Sequence, residues 1–182
     1  MTASELALRA TIWLPLCCIF GLLAVVSLRD VALRLLPNST ALALVSIGCF
    51  LRWQDGTLLV GLAASTSVLA LCFFCWRRGW VGGGDVKLMA ACAMLVAPHN
   101  VVDFIVLTTL TGGLLGLLYI GAGWVLRRAP SVPDRTHRRS LLQRLWRVER
   151  QRILRRAPLP YGVAISISAL ILLAGAPGPL GH

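Results

Sequence analysis

Charged side chains are scarce in this sequence, and acidic ones are the scarcest. Only 14% of the 182 residues are charged and seven are acidic, while 57% are hydrophobic and the mean hydropathy is +0.78. Soluble domains contain roughly 45–50% apolar and about 25% charged residues. The composition therefore excludes a soluble domain of this size and predicts an integral membrane protein.

Histidines and paired cysteines, the usual ligands of a structural metal, are too few for a metal site. The three histidines, His99, His137 and His182, are far apart, and all six cysteines lie in apolar runs, where cysteine behaves as a small hydrophobe. Cys72-Phe-Phe-Cys75 has metal-like spacing but no second pair. We expect no disulfide, no metal and no cofactor.

A basic segment and a small-residue cleavage site are missing before the first apolar run, which begins near Thr11. We therefore expect a retained helix rather than a secretory signal. The net charge is +11, yet no nucleic-acid-binding module accompanies it, so we expect no nucleic-acid partner. In a membrane protein, such charge sets orientation and attracts anionic lipids.

Six apolar runs follow one another along the chain, at about residues 11–28, 39–51, 57–76, 86–97, 101–126 and 159–176. They predict an all-α, polytopic membrane helix bundle of about six transmembrane helices, forming a single domain over residues 1–182. The second and fourth runs are short for a span. Each must tilt, include flanking residues or lie inside the bundle.

Basic residues are distributed unevenly between the two sides of this predicted bundle. If the chain crosses at every run, sixteen of the eighteen basic residues fall on one side, eleven of them in the segment 127–158. That side is predicted to be cytoplasmic, with both termini periplasmic. The basic loop is expected to carry an amphipathic helix, from about Arg138 to Arg156, that lies along anionic lipid or fixes orientation. A substrate or partner contact is the alternative.

Asp30 and Asp85 are the two acidic residues that neither solvation on the outer side nor the arginine-rich loop explains. Asp30 precedes Arg34 by four residues, so an ordinary helical ion pair is one explanation. Asp85 follows Gly82-Gly83-Gly84, and a helix N-cap would explain one aspartate but not three glycines. Consecutive glycines allow close backbone approach or a positive φ. A phosphate-binding loop is excluded because no Gly-Lys-Ser/Thr follows.

The predicted topology brings both aspartates to the cytoplasmic ends of the first and fourth runs. Two neighbouring carboxylates do not both ionise readily, so one can act as a base on water while the other acts as an acid toward a carbonyl. Such a pair suits an aspartic protease. The alternative is a small transporter or non-catalytic assembly protein whose aspartates bind protons or cations.

Three ordered segments resemble the type IV prepilin peptidases, a branch of the GxGD membrane aspartic proteases. Gly82-Gly83-Gly84-Asp85-Val86-Lys87 is similar to their GxGDxK segment, Asp30 with Pro37-Asn38 to their D-x6-PN arrangement, and Pro160-Tyr161-Gly162 to the start of their last span. Leu36 stands where isoleucine is common. The resemblance implies that Asp30 and Asp85 form the catalytic pair. It also implies that Asn38, Gly82, Gly83, Gly84, Lys87, Pro160, Tyr161 and Gly162 shape the substrate site. Independently, the Pro37-Asn38 turn predicts Asn38 as the cap of the second helix.

The resemblance implies an endopeptidase of the bacterial inner membrane that removes the basic leader of pilin precursors on the cytoplasmic side, after a glycine. Members that also methylate the new terminus have an extra N-terminal region, often with two CxxC pairs. No such region precedes Asp30, so we expect the short form associated with Flp/Tad-type pili. A GxGD protease with another substrate, such as a presenilin-like or signal-peptide peptidase, is the alternative, although the YD and PAL motifs of those enzymes are absent.

Overall fold

The computed structural model describes residues 3–33, 37–128 and 161–175, and the side chains of 15–32, 37–125 and 161–175. Within these ranges the chain forms six α-helices and one 3-10 turn, without strands. They are α1 (Ala3–Leu33), α2 (Asn38–Gln54), α3 (Leu58–Arg77), α4 (Gly83–Leu95), a 3-10 turn (Pro98–Asn100), α5 (Val101–Arg128) and α6 (Tyr161–Gly175). The predicted all-α class is confirmed for this part of the chain, and each apolar run corresponds to one helix.

Three of these helices are long and apolar enough to cross a membrane. The candidate spans are Pro15–Ala32 in α1, Leu58–Arg77 in α3, and Pro98–Val125, which joins the 3-10 turn to α5; α6 is a shorter apolar helix. Large apolar side chains such as Leu59 and Ile120 are exposed on these helices, as lipid-facing surfaces require. A multi-pass membrane protein is therefore supported, while six crossings and the orientation stay predictions.

The short helix α4 lies inside the bundle. It packs against α2, α3 and α6, and every residue from Ala90 to Leu95 is buried. Small side chains in this stretch allow neighbouring helices to approach closely. Of the three alternatives for a short run, α4 therefore shows the position inside the bundle. The other short run, which forms α2, is less buried, since Leu42, Phe50 and Trp53 are exposed on it.

Gly48 explains how closely α2 can approach α4. A Cβ atom at Gly48 would lie 2.8 Å from Cγ of Met94 and 3.2 Å from the Met94 carbonyl carbon. Only glycine therefore fits at this crossing.

The chain divides into two compact units. One contains residues 1–111 and 160–182, and the other contains residues 112–159. All candidate site residues belong to the first unit. Within the second unit, the described part is the continuation of α5 to Arg128. The predicted basic loop and its amphipathic helix lie outside the described residues, and the single-domain organisation stays a prediction.

Candidate active site

Asp85 lies in the first turn of α4. Gly82 is the N-cap with extended backbone, φ −72° and ψ 144°, so Asp85 occupies the third helical position. The nearby Gly82 N–H lowers the pKa of its carboxyl group, as expected for an acid at the third position of a helix. The N-cap explanation of Asp85 is therefore wrong, because Gly82 holds that position and Asp85 lies inside the first turn of the helix.

The glycines before Asp85 serve close approach rather than a positive φ. In the described backbone, positive φ values occur at Gly56 and Gly79 and not in the triplet. A Cβ at Gly82 would lie 2.9 Å from Oδ2 of Asp85, and one at Gly83 would lie 3.3 Å from Nε1 of Trp76. The triplet thus leaves room for the carboxylate on one side and the indole ring on the other.

Asp30 is located near the end of α1 and is only 6% exposed. Its Oδ2 accepts a hydrogen bond of 2.7 Å from the backbone N–H of Gly162. Gly162 is in the first turn of α6, where N–H groups have no partner within the helix and the helix dipole favours negative charge. A Cβ at Gly162 would lie 2.8 Å from Asp30 Oδ2, so the contact requires glycine.

The two carboxyl groups are close enough to interact electrostatically. Burial, and then the neighbouring charge of Asp30, raise the pKa of Asp85 to about 6, against a smaller lowering by the Gly82 N–H. Asp85 precedes the apolar stretch of its helix and lies outside the three candidate spans. An arrangement of this kind allows one carboxyl group to keep a proton near neutral pH while the other is ionised.

Asn38 and Lys87 lie together on the exposed side of the site. Lys87 Nζ donates a hydrogen bond of 2.9 Å to Asn38 Oδ1 and so links the start of α2 to α4. The prediction that Asn38 caps α2 is wrong, because Pro37 is the N-cap and Asn38 is the first helical residue. The Pro37 carbonyl accepts hydrogen bonds from the backbone N–H and the hydroxyl of Thr40.

The remaining predicted site residues divide between described and undescribed positions. Tyr161 begins α6 and is half-exposed, and Gly84 lies in the first turn of α4 beside Asp85. Pro160 and Arg34 lie outside the described residues. The ion pair suggested between Asp30 and Arg34 therefore stays a prediction.

Arg52 and Trp76 are two residues that sequence reasoning did not single out. Trp76 packs on Gly83, and Arg52 is buried where α2 meets the C-terminal end of α4. One signal for Arg52 was available, since it is one of only two basic residues assigned to the outer side and precedes Asp55 by three residues.

A model of the type IV leader peptidase family matches residues 17–117, more than half of the chain. The chain belongs to the type IV leader peptidase family. This confirms the family suggested by the three segments, and it implies aspartic peptidase activity. No curated protein and no solved structure shows significant similarity to the chain.

The region matched by the leader peptidase family contains both Asp30 and Asp85 and ends before the Pro160-Tyr161-Gly162 segment. Gly162 is nevertheless in direct contact with Asp30. The fold thus brings the third segment to the first, although it lies beyond the matched residues.

Proposed function

We propose that this chain is a prepilin leader peptidase, a membrane aspartic endopeptidase that cleaves pilin precursors of the Flp/Tad type after a glycine. Asp30 and Asp85 are its catalytic pair. The observation that carries the proposal is the buried contact of Asp30 with the Gly162 N–H at the N-terminus of α6, in a member of the leader peptidase family. The charge of Asp30, which contributes to the raised pKa of Asp85, supports the pairing.

The two aspartates have different roles in this proposal. The Gly162 N–H and the α6 dipole stabilise an ionised Asp30, which acts as the base. Asp85, whose pKa is raised to about 6, holds the proton and acts as the acid.

Cleavage then follows without a cofactor. Asp30 takes a proton from a water molecule as the water oxygen attacks the scissile carbonyl carbon, and Asp85 gives its proton to the carbonyl oxygen. When the resulting diol collapses, the C–N bond breaks. The leaving amine takes the proton held by Asp30, and a diol hydroxyl returns a proton to Asp85. Both carboxyl groups end as they began.

The exposed Lys87–Asn38 pair forms one edge of the proposed substrate site, with Tyr161 and Gly162 beside Asp30. This edge would meet the polypeptide next to the scissile bond. A basic loop would repel a basic leader, and its association with anionic lipid removes that conflict. The charge distribution supports a site on the cytoplasmic side of the bacterial inner membrane with both termini periplasmic.

The test is to change each aspartate and measure the cleavage of a co-expressed prepilin by a mobility shift. Asp30→Asn and Asp85→Asn should each abolish cleavage while the protein still accumulates in the membrane. Asp103→Asn is the matched control, because Asp103 is also an acid in the first turn of a helix, and it should cleave normally. Cleavage by either Asp30→Asn or Asp85→Asn would contradict the proposal.

A further inference from the structure

Arg52 is a buried cation at the opposite end of α4 from Asp85. It lies in the last turn of α2 and is 7% exposed. Its Nη2 donates a hydrogen bond of 2.8 Å to the Leu95 carbonyl, and its Nε donates one of 3.4 Å to the Met94 carbonyl. These carbonyls belong to the last turn of α4, where no helical donor remains. Arg52 therefore caps α4 from a neighbouring helix.

The guanidinium group is fixed on its other side by Asp55. Arg52 Nη1 lies 3.3 Å from Asp55 Oδ2, and both side chains are 9% exposed. A burial this deep limits screening by water, so the pair orients the guanidinium group more firmly than an exposed pair would. The planar group thereby presents two donors to α4, which a lysine cannot do in the same geometry.

The aliphatic part of Arg52 occupies a slot between three helices. A Cβ at Gly61 of α3 would lie 3.2 Å from Arg52 Cγ and 3.5 Å from Met94 Cε. Close packing on this side, together with the Gly48–Met94 contact, holds the Arg52 side chain firmly against the end of α4.

We propose that Arg52 is a positioning residue that sets the axial position of α4 and thereby holds Asp85 beside Asp30. The inference rests on the proposed function. A helix of 13 residues is a rod of about 20 Å, so a shift at Leu95 is transmitted to Asp85 along its hydrogen-bonded backbone. Ser65 of α3 adds one further tie, a hydrogen bond of 2.8 Å to the Ala90 carbonyl. Ser65 contacts a single carbonyl in the middle of α4, whereas Arg52 binds two carbonyls at the end of α4.

Two measurements on membranes test this role. Arg52→Met keeps an unbranched chain and removes every donor, whereas Arg52→Lys keeps the charge. The first measurement is prepilin cleavage. The second is the pH midpoint at which a hydrophobic carbodiimide, which reacts with protonated carboxyl groups, labels Asp85 as mapped by mass spectrometry. The labelling midpoint of Asp85 in the Asp30→Asn variant gives the reference value for Asp85 without the charge of Asp30.

Arg52→Met should reduce cleavage by up to about 100-fold, the loss that a misplacement of a reacting group by about 1 Å can cause. It should also move the labelling midpoint toward that of Asp30→Asn. Arg52→Lys should recover part of both. Arg77→Met, the same change at an exposed arginine of α3, should match the unmodified protein in both.

Wild-type cleavage and midpoint in Arg52→Met would overturn the inference. If Arg52→Met does not accumulate, Arg52→Gln replaces it, because its single amide cannot reach both carbonyls. Wild-type cleavage and a wild-type midpoint in Arg52→Gln would then overturn the inference. Failure of the proposed function is seen separately, as cleavage that survives in Asp30→Asn. In that case the labelling midpoint still reports whether Arg52 holds Asp85 beside Asp30.

Discussion

Gly162→Ala tests the contact on which the site depends, because it adds a single methyl group beside Asp30. The new Cβ would lie 2.8 Å from Oδ2, 3.0 Å from Cγ and 3.2 Å from Cβ of Asp30. Three contacts with one side chain cannot be relieved by turning its end alone, so either Asp30 or the start of α6 must move. Either movement lengthens the 2.7 Å hydrogen bond from the Gly162 N–H.

The size of the effect follows from these contacts. Overpacking of this kind costs about 1–3 kcal/mol, and loss of a hydrogen bond to a charged group costs about 1.5–3 kcal/mol. A displacement of Asp30 by about 1 Å lowers catalysis about 100-fold. We therefore expect Gly162→Ala to lower the turnover of purified enzyme on a prepilin peptide by about two orders of magnitude, with a smaller change in KM.

The matched control for this variant is Gly175→Ala, at the last residue of the same helix, where an added Cβ meets nothing within 4 Å. It should cleave at the normal rate. If Gly162→Ala cleaves as fast as Gly175→Ala, then the Asp30–Gly162 contact has no catalytic role and the proposed site geometry is incorrect.

Two other predictions concern the acid and the helix crossing. Because Asp85 must hold a proton and its pKa is raised to about 6, that proton is present below about pH 6 and lost above it, so turnover should fall as pH rises through this value. A rate that rises across this range would refute the assignment of Asp85 as the acid. Gly48→Ala would place a Cβ 2.8 Å from Met94 Cγ and should lower stability by about 1–3 kcal/mol. Thermal unfolding in detergent measures this, with Gly21→Ala, which meets nothing within 4 Å, as the control, and equal stability of the two variants would refute it.

Hydropathy alone located all six described helices, because a backbone in lipid must satisfy its hydrogen bonds within its own segment. The boundaries were less accurate. Helix α1 begins at Ala3, well before the apolar run at about residue 11, because helix formation does not stop where the side chains become polar. Helix α4 begins at Gly83, three residues before its apolar run, because glycine is typical of loops but can also occupy the first turn of a helix.

The site could be predicted only in part, since its decisive contacts join distant residues. Spacing and charge predict that Asp30 and Asp85 lie at one membrane face, but no local pattern links Asp30 to Gly162, which is 132 positions away. The predicted cap at Asn38 failed for a similar reason, because its side chain binds Lys87 of another helix rather than its own backbone. Such contacts arise from packing, which a single sequence does not record.

Helix α4 has Asp85 near one end and Arg52 bound at the other, and its length bears on the surroundings of both. A rod of about 20 Å is shorter than the roughly 30 Å hydrocarbon core of a bilayer, so α4 cannot reach water at both ends, and the end that stays inside needs protection by protein. At one end, burial beside Asp30 is what raises the pKa of Asp85. At the other end, Met94 and Leu95 are almost fully buried, and their carbonyls require donors that water does not supply there. Arg52 supplies them. A helix long enough to bring Met94 and Leu95 to water would need no buried arginine at this end.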